Sequence, residues 1–311
     1  LSNKRNTETA AGNSSSRFRR PESSEGATAV ERESRSHPSI ETRARETRFA
    51  TIFGWIREFW EYRELFYFLV WRDVKIRYKQ TVLGAAWAVI QPFFMMIVFT
   101  VFFGRMAKMP SDGIPYPLFS YSALLPWIYF STSLSLSGNS LIGGANLVRK
   151  VYFPRIALPA ASTFSGLVDF AIAFVILLAL MAYYGIAPGW GLLLWPVLLV
   201  PLVLLALGMG MILSSLNVKY RDIKYAIPFF VQTLLFITPI IYPTSIAGTR
   251  IQFLLHLNPL TGLIEAFRAS MLPTKEIDWS LLGLSVGVTL LIFAVGLAYF
   301  RKTEREFADV I

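Results

Sequence analysis

Asp169 is the one acidic residue inside a long apolar window of this 311-residue chain. A carboxylate in such a place suits two kinds of chemistry, relaying a proton or contacting a substrate. It is also tolerated when protonated or hydrogen-bonded toward the interior of a helix bundle, since burying the bare charge costs at least about 2.5–3.5 kcal/mol on insertion scales. A proton-driven carrier usually shows several such groups and this chain shows one, so the interior, hydrogen-bonded role is expected, with Asp169→Asn largely harmless. Other reactive chemistry is sparse. The chain has no cysteine, which excludes disulfides, thiol catalysis and iron–sulfur ligation. Its two histidines, His37 and His256, lie in unrelated segments, so no metal site is expected. No Gly-Lys pair occurs anywhere, so the phosphate-binding Gly-x4-Gly-Lys-Ser/Thr loop is absent and nucleotide hydrolysis by that route is not expected. With no carboxylate pair and no Ser/His/Asp set placed for membrane chemistry, the chain reads as a non-enzyme.

A second concentration of chemistry is electrostatic. Asn146-Leu-Val-Arg149-Lys150-Val-Tyr152-Phe153-Pro154-Arg155 forms a short, basic, amphipathic island between two apolar stretches. Its charges can serve simply as topology anchors. Charge alone does not account for Pro154 and Pro159, which frame the entry into the next apolar window; proline suits a helix's first turn and stiffens the corner before it.

The elements that hold these residues follow from hydropathy. The chain is 54% hydrophobic and only 16% charged, with a mean hydropathy of +0.49; soluble domains carry about 25% charge. Apolar windows near 20 residues long, without period-2 alternation, read as membrane-spanning helices. Six are expected, at about Val82–Gly104, interrupted by Gln91-Pro92, then Leu118–Ser140, Leu158–Tyr184, Leu192–Leu216, Ala226–Tyr242 and Trp279–Phe300. Residues 1–50 are rich in Ser, Thr, Glu and Arg and cannot bury enough apolar surface to order themselves, so a disordered tail is expected there, with no apolar core for a cleavable signal. Residues 51–81 alternate apolar and charged positions at helical spacing. Trp71, Arg72, Lys75, Arg77 and Tyr78 give this segment the composition of a helix lying in the headgroup plane. The expected organisation is therefore a tail over 1–50, an interfacial helix over 51–81 and a six-span all-α membrane domain over 82–311.

Six spans put both termini on one side. From residue 51 onward that side holds 15 Lys and Arg against 5 on the other, so the termini and the basic island are expected to be cytoplasmic. Between the fifth and sixth windows, residues 243–276 are broken by Pro243, Pro259 and Pro273 and carry two short helix-like pieces. The second pairs Glu265 with Arg268 at i,i+3 beside Phe267. These pieces read either as an amphipathic lid at the outer mouth or as a loop resting on headgroups. Aromatics make up 15% of the chain. Trp87, Phe93, Phe94, Trp127 and Tyr129 read either as interface belts and lipid-facing filler or as rings lining a channel in which sugar faces stack. Gly283-Leu-Ser-Val-Gly287 is a small-x3-small pattern that lets helices approach.

Four stretches together resemble a known family. They are Trp71-Arg-Asp-Val-Lys-Ile-Arg-Tyr-Lys-Gln-Thr-Val-Leu-Gly84 with Trp87 and Gln91-Pro92, then Arg149-Lys150-Val-Tyr-Phe153-Pro154-Arg155 with Leu158-Pro159. The others are Asn217-Val-Lys-Tyr-Arg221-Asp222-Ile223, and Thr238-Pro239-Ile-Ile-Tyr242-Pro243 followed by Asn258-Pro259. In order and spacing they resemble the transmembrane permease subunits of type-two ABC exporters that move polysaccharides or teichoic acids, over roughly residues 55–311. The resemblance implies a homodimer of permeases working with two separate ATPase subunits, which bind the ATP and Mg; this chain holds no cofactor of its own. It implies that Arg149, Lys150, Tyr152, Phe153, Pro154 and Arg155 belong to a coupling helix on the ATPase. It further implies that Pro259, Glu265, Phe267 and Arg268 belong to an outer gate. The cargo would be a lipid-linked glycan of O-antigen, capsular or teichoic acid type, crossing the inner membrane at the dimer seam. Lipids, but not nucleic acid, are the other expected contacts. The same architecture exporting a small lipid or drug, and a proton-coupled carrier using Asp169, are the competing readings; a membrane glycosyltransferase lacks an acidic or metal site.

Overall fold

The computed structural model describes residues 61–79, 84–150, 153–220, 222–244, 248–271, 276–304 and 307. The 1–50 tail, residues 51–60 of the interfacial segment, and Tyr152 lie outside the described residues. Apart from Glu61, the described residues fall in one compact unit, Tyr62–Ile311. They are all-helical, with no strand among them.

Ten α-helices follow in order: α1 Arg63–Lys79, α2 Trp87–Phe99, α3 Tyr116–Gly143, α4 Ala145–Lys150, α5 Ala157–Tyr183, α6 Trp195–Lys219, α7 Ile223–Ile237, α8 Thr249–Leu257, α9 Pro259–Met271 and α10 Trp279–Glu304. A π-helical turn, Thr100–Met106, prolongs α2. The punctuation is chemical. Gly84 takes a left-handed φ of +48° just before α2, a conformation open to glycine without a Cβ penalty. Asn258 Oδ1 accepts the Leu260 amide to start α9, and Asp278 Oδ1 accepts the amides of Ser280 and Leu281, both at 3.0 Å, to start α10. Each cap satisfies donors that the helix leaves open.

Four helical stretches are long and apolar enough to cross a bilayer: Trp87–Met106, Ala157–Tyr183, Trp190–Lys219 and Trp279–Glu304. The other two expected windows differ in an instructive way. The window at 118–140 forms α3, which at 28 residues is ample in length but rich in hydroxyls. The window at 226–242 gives α7, a shorter apolar helix of 15 residues that stops at Ile237, ahead of Pro239.

α3 is polar because it is central. It packs on α2, α5, α6, α7 and α9, while α10 packs on α6 and α9. A helix walled in by protein does not have to present apolar atoms to lipid. Most of its hydroxyls bond within the helix: Ser122 donates to the Phe119 carbonyl at 2.9 Å, Ser135 to the Ser131 carbonyl at 2.8 Å and Ser140 to the Ser137 carbonyl at 2.7 Å, while the buried Ser137 hydroxyl has no partner among the described residues. Close approach is bought by small residues. A methyl group on Gly208 would lie 2.7 Å from the Phe293 Cα, and one on Gly296 would run into the Gly208 carbonyl, so α6 and α10 meet backbone to backbone. Gly283 and Gly287, the small-x3-small pair, face nothing within 4 Å.

Apolar burial divides into two clusters. One joins the first half of α3 with α5, α6 and α9, around Phe119, Phe130, Phe170, Trp195 and Phe267. The other lies where α3 gives way to α4, around Leu69, Leu141, Phe153, Leu158, Met211, Phe300 and Phe307.

Candidate functional site

Asp169, on α5, faces the end of α1. Its carboxylate accepts from the Arg77 guanidinium on one oxygen and from the Tyr78 hydroxyl on the other. Arg77 also reaches Ser165 Oγ at 3.3 Å. Ser162 Oγ donates to Asp73 at 3.1 Å, while Arg72 pairs with Asp73 at 2.8 Å. Ser162, Ser165 and Asp169 recur at i, i+3 and i+7, so they form one polar stripe on α5, and Asp73, Arg77 and Tyr78 match it from α1. Burial lowers the Arg77 pKa from its usual value, opposed by the charges of Tyr78 and Asp73. Burial raises that of the Tyr78 hydroxyl, opposed by Arg77, so at neutral pH the phenol keeps its proton and donates. Helix α1 is thus fastened to α5, with Leu69 and Val74 buried, while Tyr67, Phe68, Trp71 and Ile76 point outward. Lys75 is exposed.

This ion pair forms one wall of a cavity of about 520 Å³ between the end of α1 and helices α2, α3 and α5. Trp87, Tyr129 and Phe170 contribute rings, Ser131, Thr132 and Ser135 hydroxyls, and Gln91 an amide. Flat apolar faces alternating with short polar groups suit a ligand that has both, as a sugar ring does. Phe93 and Phe94 are exposed on α2 outside the cavity, and Trp127 lies in the core at 4% exposure, its ring against Phe130. Two of the five expected channel rings, Trp87 and Tyr129, therefore meet at the cavity. Phe170 and the hydroxyls were not singled out, although Phe170 follows Asp169 directly.

The basic island folds as α4 and a corner. Arg149 and Lys150, in the last turn of α4, are both exposed. Phe153 is turned inward, 5% exposed, in the cluster with Phe300 and Phe307. Pro154 is half-buried. Arg155 is committed within the chain: its amide donates to Glu304 Oε1 at 3.2 Å and its guanidinium to the Glu304 carbonyl. Two tasks are therefore divided, with cations offered outward and the Phe-Pro-Arg corner seated on α5 and α10. Asn217 adds a tie at the same end, donating to the Gly138 carbonyl and to Asn139 Oδ1, each at 3.0 Å.

At the other end of α3, α9 is almost wholly buried. Arg268, 1% exposed, pairs with Glu265 at 2.8 Å and sits 3.8 Å from the Phe119 ring centroid. It also donates to the Pro239 and Ile240 carbonyls at 3.2 and 3.3 Å. Those carbonyls belong to the non-helical stretch after α7, where Asn258 also bonds Thr238 at 3.0 Å and Tyr116 donates to Ile241 at 2.8 Å. Irregular backbone at membrane depth needs such partners. Phe267 stacks edge-on against Trp195 at 4.9 Å, and Trp195 donates to Ser270 at 3.0 Å. Pro259, half-buried, opens the helix. The sequence singled out the Glu265–Arg268 pair but not its grip on 239–240, which links residues 28 and 29 positions apart. Among the described residues no group of three His, Asp or Glu could hold a metal ion.

Residues 64–272 match the family model described as ABC-2 type transporter. The O-antigen export system permease protein RfbA of Myxococcus xanthus is 29% identical over 259 residues, covering 82% of this chain and 98% of that protein. RfbA of Klebsiella pneumoniae is 25% identical over 244 residues, 77% of this chain and 92% of that protein. The polysialic acid transport protein KpsM of Escherichia coli is 24% identical over 238 residues, with shares of 75% and 91%.

Proposed function

The chain belongs to the ABC-2 type transporter family, and from that premise we propose that it is the permease subunit of an ATP-driven exporter of a lipid-linked polysaccharide. The observation that carries the polysaccharide reading is the cavity in which Trp87, Tyr129 and Phe170 stand beside Ser131, Thr132, Ser135 and Gln91. Rings offer a face to any sugar, and hydroxyls exchange one hydrogen-bond partner for the next, so a polymer can advance without a fixed register. Relatives named for O-antigen export and polysialic acid transport, aligned over most of their lengths, support the same cargo class.

In this reading two copies face each other across a two-fold axis, and the cavities open on the seam between them. Six segments cross the inner membrane: α2 with its π-turn, α3, α5, α6, α7 with the turn after it, and α10. Both termini, α1 and α4 lie on the cytoplasmic side, supported by the bias of 15 cations against 5. Two ATPase subunits carry the ATP and Mg and bind at Arg149 and Lys150. Helices α8 and α9 form the gate on the outer side. Asp169 is a structural partner of Arg77 and Tyr78 rather than a proton carrier, in keeping with its two donors.

A host strain lacking the gene decides the matter. Lipid-linked glycan should accumulate inside the cell and disappear from its surface, and both should revert on complementation. Unchanged surface glycan without internal accumulation would sink the assignment.

A further inference from the structure

Arg155 stands at the corner between α4 and α5, yet its amide and its guanidinium both donate to the end of α10. Its amide donates to Glu304 Oε1 at 3.2 Å and its guanidinium to the Glu304 carbonyl. Phe153 packs in one cluster with Phe300 and Phe307, so the corner is joined to α10 by apolar burial as well. The far end of α10 lies against α9. A methyl group on Gly262 of α9 would run into Ser285 and would sit 2.8 Å from the Leu281 carbonyl of α10. Between these ends α10 is one uninterrupted helix of 26 residues, Trp279–Glu304, about 39 Å long at 1.5 Å per residue. It is held against α6 by the Gly208–Gly296 contact.

From this geometry we infer that Arg155 and Glu304 are a positioning pair that couples the corner after α4 to α10, and that α10 carries its displacement to α9. The inference rests on the ATP-driven reading above and adds a route to it. Motion imposed at α4 enters α5 through the chain itself, but reaches the opposite end of the bundle through a helix more than 120 residues later in sequence. A packed helix with backbone contacts on two sides moves as a rigid body rather than bending, so a shift at Glu304 reappears at Leu281 and Ser285.

This chain has no cysteine, so a single introduced thiol is the one labelling site on the permease band. In the complete permease–ATPase complex in proteoliposomes, Thr261→Cys on α9 reports on the gate, since Thr261 is fully buried. A membrane-impermeant maleimide should label it faster when ATP is added. Glu304→Ala should leave ATPase copurification and ATP hydrolysis unchanged, abolish the ATP-dependent change in labelling, and lower export about tenfold, as the loss of the one side-chain hydrogen bond, to a carboxylate, predicts, while the guanidinium keeps the backbone carbonyl. Glu304→Gln keeps an accepting oxygen and should retain both export and the labelling response. Export and labelling unaffected by Glu304→Ala, lost copurification in that variant, or a Glu304→Gln variant as impaired as the alanine would each overturn the inference. Should the alanine variant fail to accumulate in the membrane at all, the pair Arg155→Cys and Glu304→Cys replaces it. Oxidised to a disulfide it should export, and reduced it should not; export blocked by the disulfide overturns the proposal. A Thr261→Cys complex with Glu304 intact that shows no response to ATP removes the ATP-driven reading itself, and the inference with it.

Discussion

Asp169 and Arg268 show how the same cost, a charge away from water, is met twice by different means. Asp169 is met by two donors from another helix, Arg77 and Tyr78. Asparagine there still accepts, so Asp169→Asn should export normally at every external pH tested, read as surface glycan. Abolished export at normal expression would restore the proton-coupled alternative. In a double-mutant cycle of Arg77→Ala and Asp169→Ala, melting in detergent should show a coupling of about 1 kcal/mol; simple additivity would deny the pair. Arg268 is met by Glu265, two carbonyls and the Phe119 ring. Arg268→Ala removes the cation paired with buried Glu265, and breaking a buried pair from one side costs about 3–5 kcal/mol, so the variant should melt far below the parent or fail to accumulate. The volume-matched pair Arg268→Met with Glu265→Gln should recover much of that loss. The sequence marked both residues but could name the partner of only one. Glu265 and Arg268 are three apart on one helix, where spacing alone brings side chains together. Arg77 and Asp169 are 92 residues apart, and which faces of α1 and α5 meet is decided by packing that no local pattern encodes.

Elements were readable where a helix faces lipid on several sides and obscure where it does not. The windows that became α2, α5, α6 and α10 satisfy length and hydropathy together. α3 and α7 were found by weaker signals, and α7 ends early at Thr238-Pro239. The corner after α4 was recognised from its prolines and charges, but the assignment of Arg155 inward and of Arg149 and Lys150 outward needed the tertiary contact to Glu304. That division makes a prediction for α4. Reversing both exposed charges, Arg149→Glu with Lys150→Glu, should weaken copurification of the ATPase subunit while the permease keeps its melting temperature. Undiminished copurification would remove α4 from the docking surface. Glycines separate in the same way. Gly208→Leu drives a side chain into the Phe293 backbone and should destabilise the bundle by about 1–3 kcal/mol or more, whereas Gly287→Ala meets only open space and should melt like the parent. Gly283 and Gly287 are conspicuous in the sequence because their spacing is regular; the pair that packs, Gly208 and Gly296, sits on different helices and has no spacing to recognise.

At the scale of the whole molecule, the bundle is tied across its two ends by different materials. Charged and aromatic contacts hold α9 to the turn after α7, while Phe153, Phe300, Phe307 and the Arg155–Glu304 bonds close the other end. The complex purified from membranes should contain two permeases and two ATPase subunits by native mass; a single permease per complex would rule out the dimer seam proposed as the export path. The polar interior of α3 has a further consequence, in the order of synthesis. Ser120, Ser122, Ser131, Thr132, Ser133, Ser135, Ser137 and Ser140 leave it outside the four stretches apolar enough to cross a bilayer by composition, and the helices that shelter it on most sides, α5, α6, α7 and α9, emerge from the ribosome after it. The nascent chain must therefore keep α3 beside the insertion machinery until α5 and α6 arrive, so that its entry into the bilayer is a joint event. Chains truncated after Gly144 should leave α3 accessible to added glycosyl or maleimide tags on both flanks, and chains extended through Lys219 should not.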